Sequence, residues 1–111
     1  MRLAYLALVT TIGAAAAQPV CAQQLSDWQR GRVLARQVCA ECHAVERNQT
    51  LPHHSLAPSF TAVASTPGMT ALALNAFLHT PHRNMPNIIL TDDQVKGITA
   101  YILSLRRQRG I

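Results

Sequence analysis

Cys39-Ala40-Glu41-Cys42-His43 is the stretch that decides how the rest of the chain is read. Two thiols at this spacing can reach the two vinyl groups along one edge of a porphyrin. The histidine that follows can then turn its ring toward the iron. The motif therefore predicts one covalently bound haem c, attached through Cys39 and Cys42, with His43 as an axial iron ligand. Two other readings use the same residues. A redox dithiol would sit beside a strand–helix unit, and no such unit is visible around the motif. A zinc site wants four ligands, and on paper His53 and His54 would complete one.

Upstream of the motif, the sequence predicts a helix from Asp27 to Cys39. Ser26 or Asp27 can cap it by accepting from the free amides of the first turn. Val33, Leu34 and Val38 supply an apolar side, with Gln29, Arg30, Arg32, Arg36 and Gln37 toward water. Gly31 lies inside this helix, at a cost of about 0.5–1 kcal/mol relative to alanine. The close approach of another helix is the expected compensation. Further upstream, Met1–Arg2 gives a positive start and Leu3–Ala17 is almost wholly apolar. Val20 and Ala22 suit a cut after Ala22, so residues 1–22 are expected to be a cleaved secretory signal peptide. Residues 23–111 then form one domain. Cys21 leaves with the signal on this reading. An uncleaved amino-terminal anchor is one competing reading, and lipidation at Cys21 is another, although Val20 fits a lipidation signal poorly.

Downstream, residues 48–65 carry Pro52, Pro58 and several polar breakers and read as a loop wrapped around a cofactor. A second helix is expected between Thr66 and His79. Its start is either Thr66–Pro67 or Thr70, its apolar face Leu74, Phe77 and Leu78, and Pro81 stops it. A second loop, His82–Leu90, precedes a third helix. Thr91 and Gln94 form a capping box at its start. Asp92 and Asp93 in its first turn and Arg106 and Arg107 near its end suit the helix dipole. Val95, Ile98, Tyr101, Ile102 and Leu105 line one side, and Gly97 marks another tight spot. The expected fold class is all-α, with three main helices.

The iron's sixth position has several candidates: Met69, Met85, His53, His54, His79 and His82. Met85 leads, because it lies in a loop between Asn84 and Pro86 and can bring a thioether inward. A thioether raises the reduction potential relative to a second histidine. The chain carries ten Lys and Arg against five Asp and Glu, a formal net charge of +5. Loss of residues 1–22 removes Arg2 alone. This moderate balance suits acidic partners. The scattered cations, without an aromatic–basic stripe, exclude a nucleic-acid binder.

Taken together, these residues resemble the small bacterial class I c-type cytochromes over nearly the whole of residues 23–111. The resemblance implies the class I cytochrome c fold around one haem c, with the first and last helices crossing at a glycine on one and an aromatic on the other. Gly31 matches that glycine and Tyr101, in the run AYILSL, matches the aromatic. It also implies that Pro58, in LAPSF, offers its carbonyl to the His43 ring proton, and that Met85, in NMPN, is the axial methionine. Ala35 departs from larger members, which often carry an aromatic there. The short span from His43 to Met85 implies a more exposed haem edge.

The implied function is that of a periplasmic electron carrier, non-enzymatic, cycling one electron through the haem. The expected partners are redox proteins with acidic docking surfaces, with Arg36, Arg47, Arg83 or Lys96 helping to guide them. The expected form is a monomer or small subunit with no transmembrane span after cleavage. The alternative is a haem-bearing subunit of a dehydrogenase or oxidase complex. A ligand-binding haem protein is a third reading, disfavoured by the Met85 assignment.

Overall fold

The computed structural model describes residues 25–52 and 56–106. The expected signal segment, Cys21, His53, His54 and Arg107 lie outside the described residues. The described residues are all-α, with four helices: α1 Asp27–Leu34, α2 Phe60–Ser65, α3 Ala71–His79 and α4 Asp92–Ser104. One more helix is present than the sequence predicts, because α2 forms inside the segment expected to be irregular. Ser59 starts it by accepting from the Ala62 amide at 3.1 Å. Pro58 lies just before that cap, where its missing N–H costs nothing.

Helix α1 opens where Ser26 turns the chain, with the Gln29 side-chain oxygen accepting from both the Ser26 amide and its hydroxyl at 2.9 Å. It does not continue as α-helix to Cys39. From Ala35 to Cys39 the winding loosens into a π-type turn, in which the Ala40 amide reaches the Ala35 carbonyl at 3.0 Å. Such turns are rare and often mark functional positions. This one ends on the first motif cysteine.

The buried face of this first segment is small. Gly31 and Ala35 are buried, whereas Val33 is 47% exposed and Leu34 only packs against the edge of the core. Of the expected Val33–Leu34–Val38 face, Leu34 packs against the core, but Val33 is exposed and the closest contact runs through Gly31 instead. The reason is the crossing with α4. A Cβ placed on Gly31 would lie 1.9 Å from the Gly97 carbonyl oxygen. Only a stripe without bulk lets the two backbones touch, so Val33 is turned aside. Lys96 Nζ joins Asp27 Oδ2 at 3.1 Å and ties the same two helices at the start of α1.

Helix α4 carries most of the core. Thr91 and Gln94 make the expected capping box, with bonds of 2.9 and 3.2 Å. Val95, Ile98, Tyr101, Ile102 and Leu105 are all buried. A good cap contributes about 1 kcal/mol, while burying each large apolar side chain contributes about 1.5–3 kcal/mol. Packing of this face therefore outweighs the cap. Ala35, Val45, Phe60, Ala64 and Leu74 complete the cluster around it. Helix α3, the second of the expected helices, is capped by Thr70, the later of its two expected starts, with Thr70 Oγ1 accepting from Ala73 N at 3.1 Å. Leu74 is buried as expected, but Phe77 is 53% exposed.

A polar knot locks the chain behind the motif. The Tyr101 hydroxyl donates to the Val45 carbonyl at 2.7 Å and lies 3.2 Å from Glu46 Oε2. Arg32 reaches Glu46 at 3.1 Å, and Arg36 makes a second, short contact to it. Partial burial works against the Glu46 charge. Hydrogen bonds from Arg32 and Arg36 outweigh that effect and hold the carboxyl below its usual range. A carboxyl lowered in the folded state stabilises fully above its unfolded value, about 4.3, and this contribution fades as pH falls through the folded value. Glu46→Gln is thus expected to cost about 1 kcal/mol at neutral pH. The difference from wild type should shrink on acidification below about pH 4, as read by urea titrations across pH. A constant difference would contradict the ion-pair account.

Candidate functional site

The strand of chain after the motif is stapled to the chain before α2. The Phe60 amide donates to the Ala44 carbonyl at 2.9 Å. Just before this pair, the His43 Nδ1 lies 2.7 Å from the Pro58 carbonyl oxygen. A carbonyl can only accept, so Nδ1 carries the proton and donates it. The other ring nitrogen, Nε2, keeps its lone pair and is left able to bind a metal. The ring also packs on Phe60, with centroids 5.3 Å apart. Gln49 holds the turn beyond, its side-chain oxygen accepting from the Val45 and Glu46 amides at 2.9 and 3.0 Å.

His43 opens into a cleft of about 710 Å³, within the range of cofactor pockets of about 300–1,000 Å³. Cys39, Cys42, Pro58 and Met85 line the same cleft. Its apolar floor is Phe60, Leu74, Ile98 and Ile102, residues that also belong to the core or its edge. Phe77 and the almost fully exposed Leu56 stand at its mouth. The exposure of Phe77 is thus explained by position: its helix face looks into the cleft, not into the core. Tyr101 is not part of the lining. It touches the site indirectly, with its ring 6.4 Å from that of Phe60.

The donor set fits a haem. Two cysteines, an imidazole with its tautomer fixed and a thioether meet at one apolar cavity large enough for a flat macrocycle. The dithiol reading fits less well. Burial pushes the Cys39 thiol above its ordinary value, whereas a reactive thiol needs a lowered one. No disulfide joins Cys39 to Cys42. Among the described residues, no group of three or more His, Cys, Asp and Glu side chains could hold a metal ion.

Met69 and Met85 both line the cleft, so location alone does not separate them. Their surroundings do. Met69 packs against the core, and its carbonyl accepts from Arg106 at 2.6 Å. Met85 lies in a segment without helix, outside the core cluster, with Asn84 in the left-handed region at φ 64° just before it. Arg106 also donates to the Ala64 carbonyl at 3.1 Å. It thereby ties the end of α4 to both sides of the α2–α3 corner, a role that its place near a helix end does not disclose in sequence.

Of the four cations expected to guide a partner, three are engaged in the fold. Arg36 binds Glu46, Arg47 donates to the Ser104 carbonyl at 3.0 Å and Lys96 binds Asp27. Arg83 lines the cleft and is exposed. No helix among the described residues is long and apolar enough to cross a membrane. Residues 26–102 match the family described as cytochrome C oxidase, cbb3-type, subunit III. No curated protein and no solved structure matches the chain.

Proposed function

The chain belongs to the cbb3-type cytochrome c oxidase subunit III family, and on that premise we propose that it is a haem c-bearing electron-transfer subunit of an oxidase complex. The convergence of Cys39, Cys42, His43 and Met85 on one apolar cleft carries this reading. The family match favours a subunit over the free periplasmic carrier that the sequence alone suggests first.

Bound haem supplies a one-electron couple. Cys39 and Cys42 would fix it as thioethers, His43 and Met85 would hold its iron, and Pro58 would set the His43 ring through Nδ1. Phe60, Leu74, Ile98 and Ile102 keep water from the cavity floor, which together with a thioether donor favours a high potential. The chain would itself make or break no substrate bond. Export directed by residues 1–22, which would then be cleaved, would place it in the periplasm, where the haem attaches. Partners would meet it at the exposed side of the cleft, and Arg83 would favour acidic ones.

The test is mild-detergent purification of tagged protein, expressed in a host with c-type haem maturation and the cognate oxidase subunits. The expected result is a chain that carries covalent haem and co-purifies with those subunits. Recovery of a haem-loaded chain alone would return the account to a free carrier. Recovery without covalent haem would overturn both.

A further inference from the structure

Two histidines adjoin the Met85 loop, and the fold treats them differently. His79, the last residue of α3, donates from Nδ1 to the Asn75 carbonyl at 2.8 Å. Its Nε2 lies 4.0 Å from Asp92 Oδ1, and it takes no part in lining the cleft. His82 lines the cleft together with Met85. Its ring packs on Phe77, with centroids 5.1 Å apart and planes at 39°. Its ring nitrogens have no hydrogen-bond partner among the described residues. The Met85 amide donates to the His82 carbonyl at 3.4 Å, and the left-handed Asn84 sits between them. That turn presents an imidazole and a thioether, three positions apart, to one cavity.

Resting on the haem reading above, we propose that His82 is a reserve axial donor. When the Met85 thioether leaves the iron, the His82 imidazole takes the vacated position. The Fe–S bond breaks, an imidazole nitrogen gives its lone pair to a new Fe–N bond, and no electron is exchanged. The loop can make this change locally. Residues 81–90 contain no helix, Ile89 is 90% exposed, and neither His82 nor Met85 belongs to the core cluster. Segments with so few buried contacts open most easily. A second nitrogen donor lowers the potential relative to the thioether. The exchange would therefore convert a ready electron acceptor into a poor one without disturbing α4 or the motif.

The test uses the haem-loaded full chain in its ferric form, with visible spectra and electron paramagnetic resonance at neutral pH. Met85→Ala and Met85→Leu are each expected to lose the weak far-red band of a thioether–iron bond. Both should nevertheless stay low-spin, with a lowered midpoint potential. Adding His82→Ala to either is expected to make the haem high-spin and to speed carbon monoxide binding to the ferrous form. Adding His79→Ala instead is expected to change neither. The proposal is overturned if Met85→Ala and Met85→Leu are already high-spin, or if their low-spin state survives His82→Ala. A wild type without the far-red band would remove the Met85 assignment itself, a failure distinct from loss of the exchange alone.

Discussion

Gly31→Ala is expected to cost about 4 kcal/mol of folding stability, near the upper end for a single substitution. The added methyl would sit 1.9 Å from the Gly97 oxygen, 2.3 Å from its carbonyl carbon and 2.8 Å from the Ile98 nitrogen. All three are backbone atoms of α4, so no side chain can swing away. Relief requires α1 to lift from α4, which also uncovers Ala35, a residue with no exposed surface. Gly97→Ala supplies the contrast. Its methyl would meet Asp27 O at 3.1 Å and the Gly31 nitrogen at 3.2 Å, so a shift of a few tenths of an ångström suffices. Alanine in a helix interior also returns about 0.5–1 kcal/mol. Gly97→Ala should therefore stay within about 1 kcal/mol of wild type. Urea titration of the haem-loaded variants reads both values. Equal losses at the two glycines would contradict the asymmetric crossing.

Replacing Cys39 and Cys42 together by alanine is expected to abolish covalent haem, with none retained after denaturation. Each single variant should keep one attachment at reduced yield, because either remaining thiol can still bond one vinyl group. His43→Ala should differ in kind. Both thiols remain, so haem can attach, but the low-spin spectrum is lost with the donor that Pro58 orients. Heat denaturation should then show the double cysteine variant melting well below wild type. Without the haem body, the apolar floor of a cleft of about 710 Å³ faces solvent. Wild-type thermal stability in that variant would mean that the cleft does not need a cofactor to close around.

Much of the scaffold could be read locally. The Thr91–Gln94 box, the buried apolar face from Val95 to Leu105 and the stop before Pro81 follow from capping rules, helical period and the missing proline N–H. Gly31 and Gly97 were each readable as a tight spot, because a glycine in a helix interior needs a compensating contact. The resemblance, however, paired Gly31 with Tyr101, whereas its closest contact is the Gly97 backbone. Features set by distant partners were not readable. The Arg32–Glu46–Tyr101 knot joins positions far apart in sequence, and Arg32 alone looks like an ordinary solvated cation. The same holds for Arg106, whose two carbonyl partners lie across the corner between α2 and α3. Helix α2 was hidden by its six-residue length and by Pro52 and Pro58 in the segment before it. Phe77 was placed on the right helix face, but periodicity cannot tell a core from a cleft that a cofactor would fill. The motif gave the chemistry of Cys39, Cys42 and His43. The family match, not the motif, moved the functional reading from a free carrier to a subunit.

The central claim is covalent haem at Cys39 and Cys42, and the intact mass of denatured wild-type protein tests it most directly. Protein made in a host with c-type haem maturation should weigh one haem more than its polypeptide, and that increment should survive denaturation and acid extraction. A mass equal to the polypeptide alone would contradict the account.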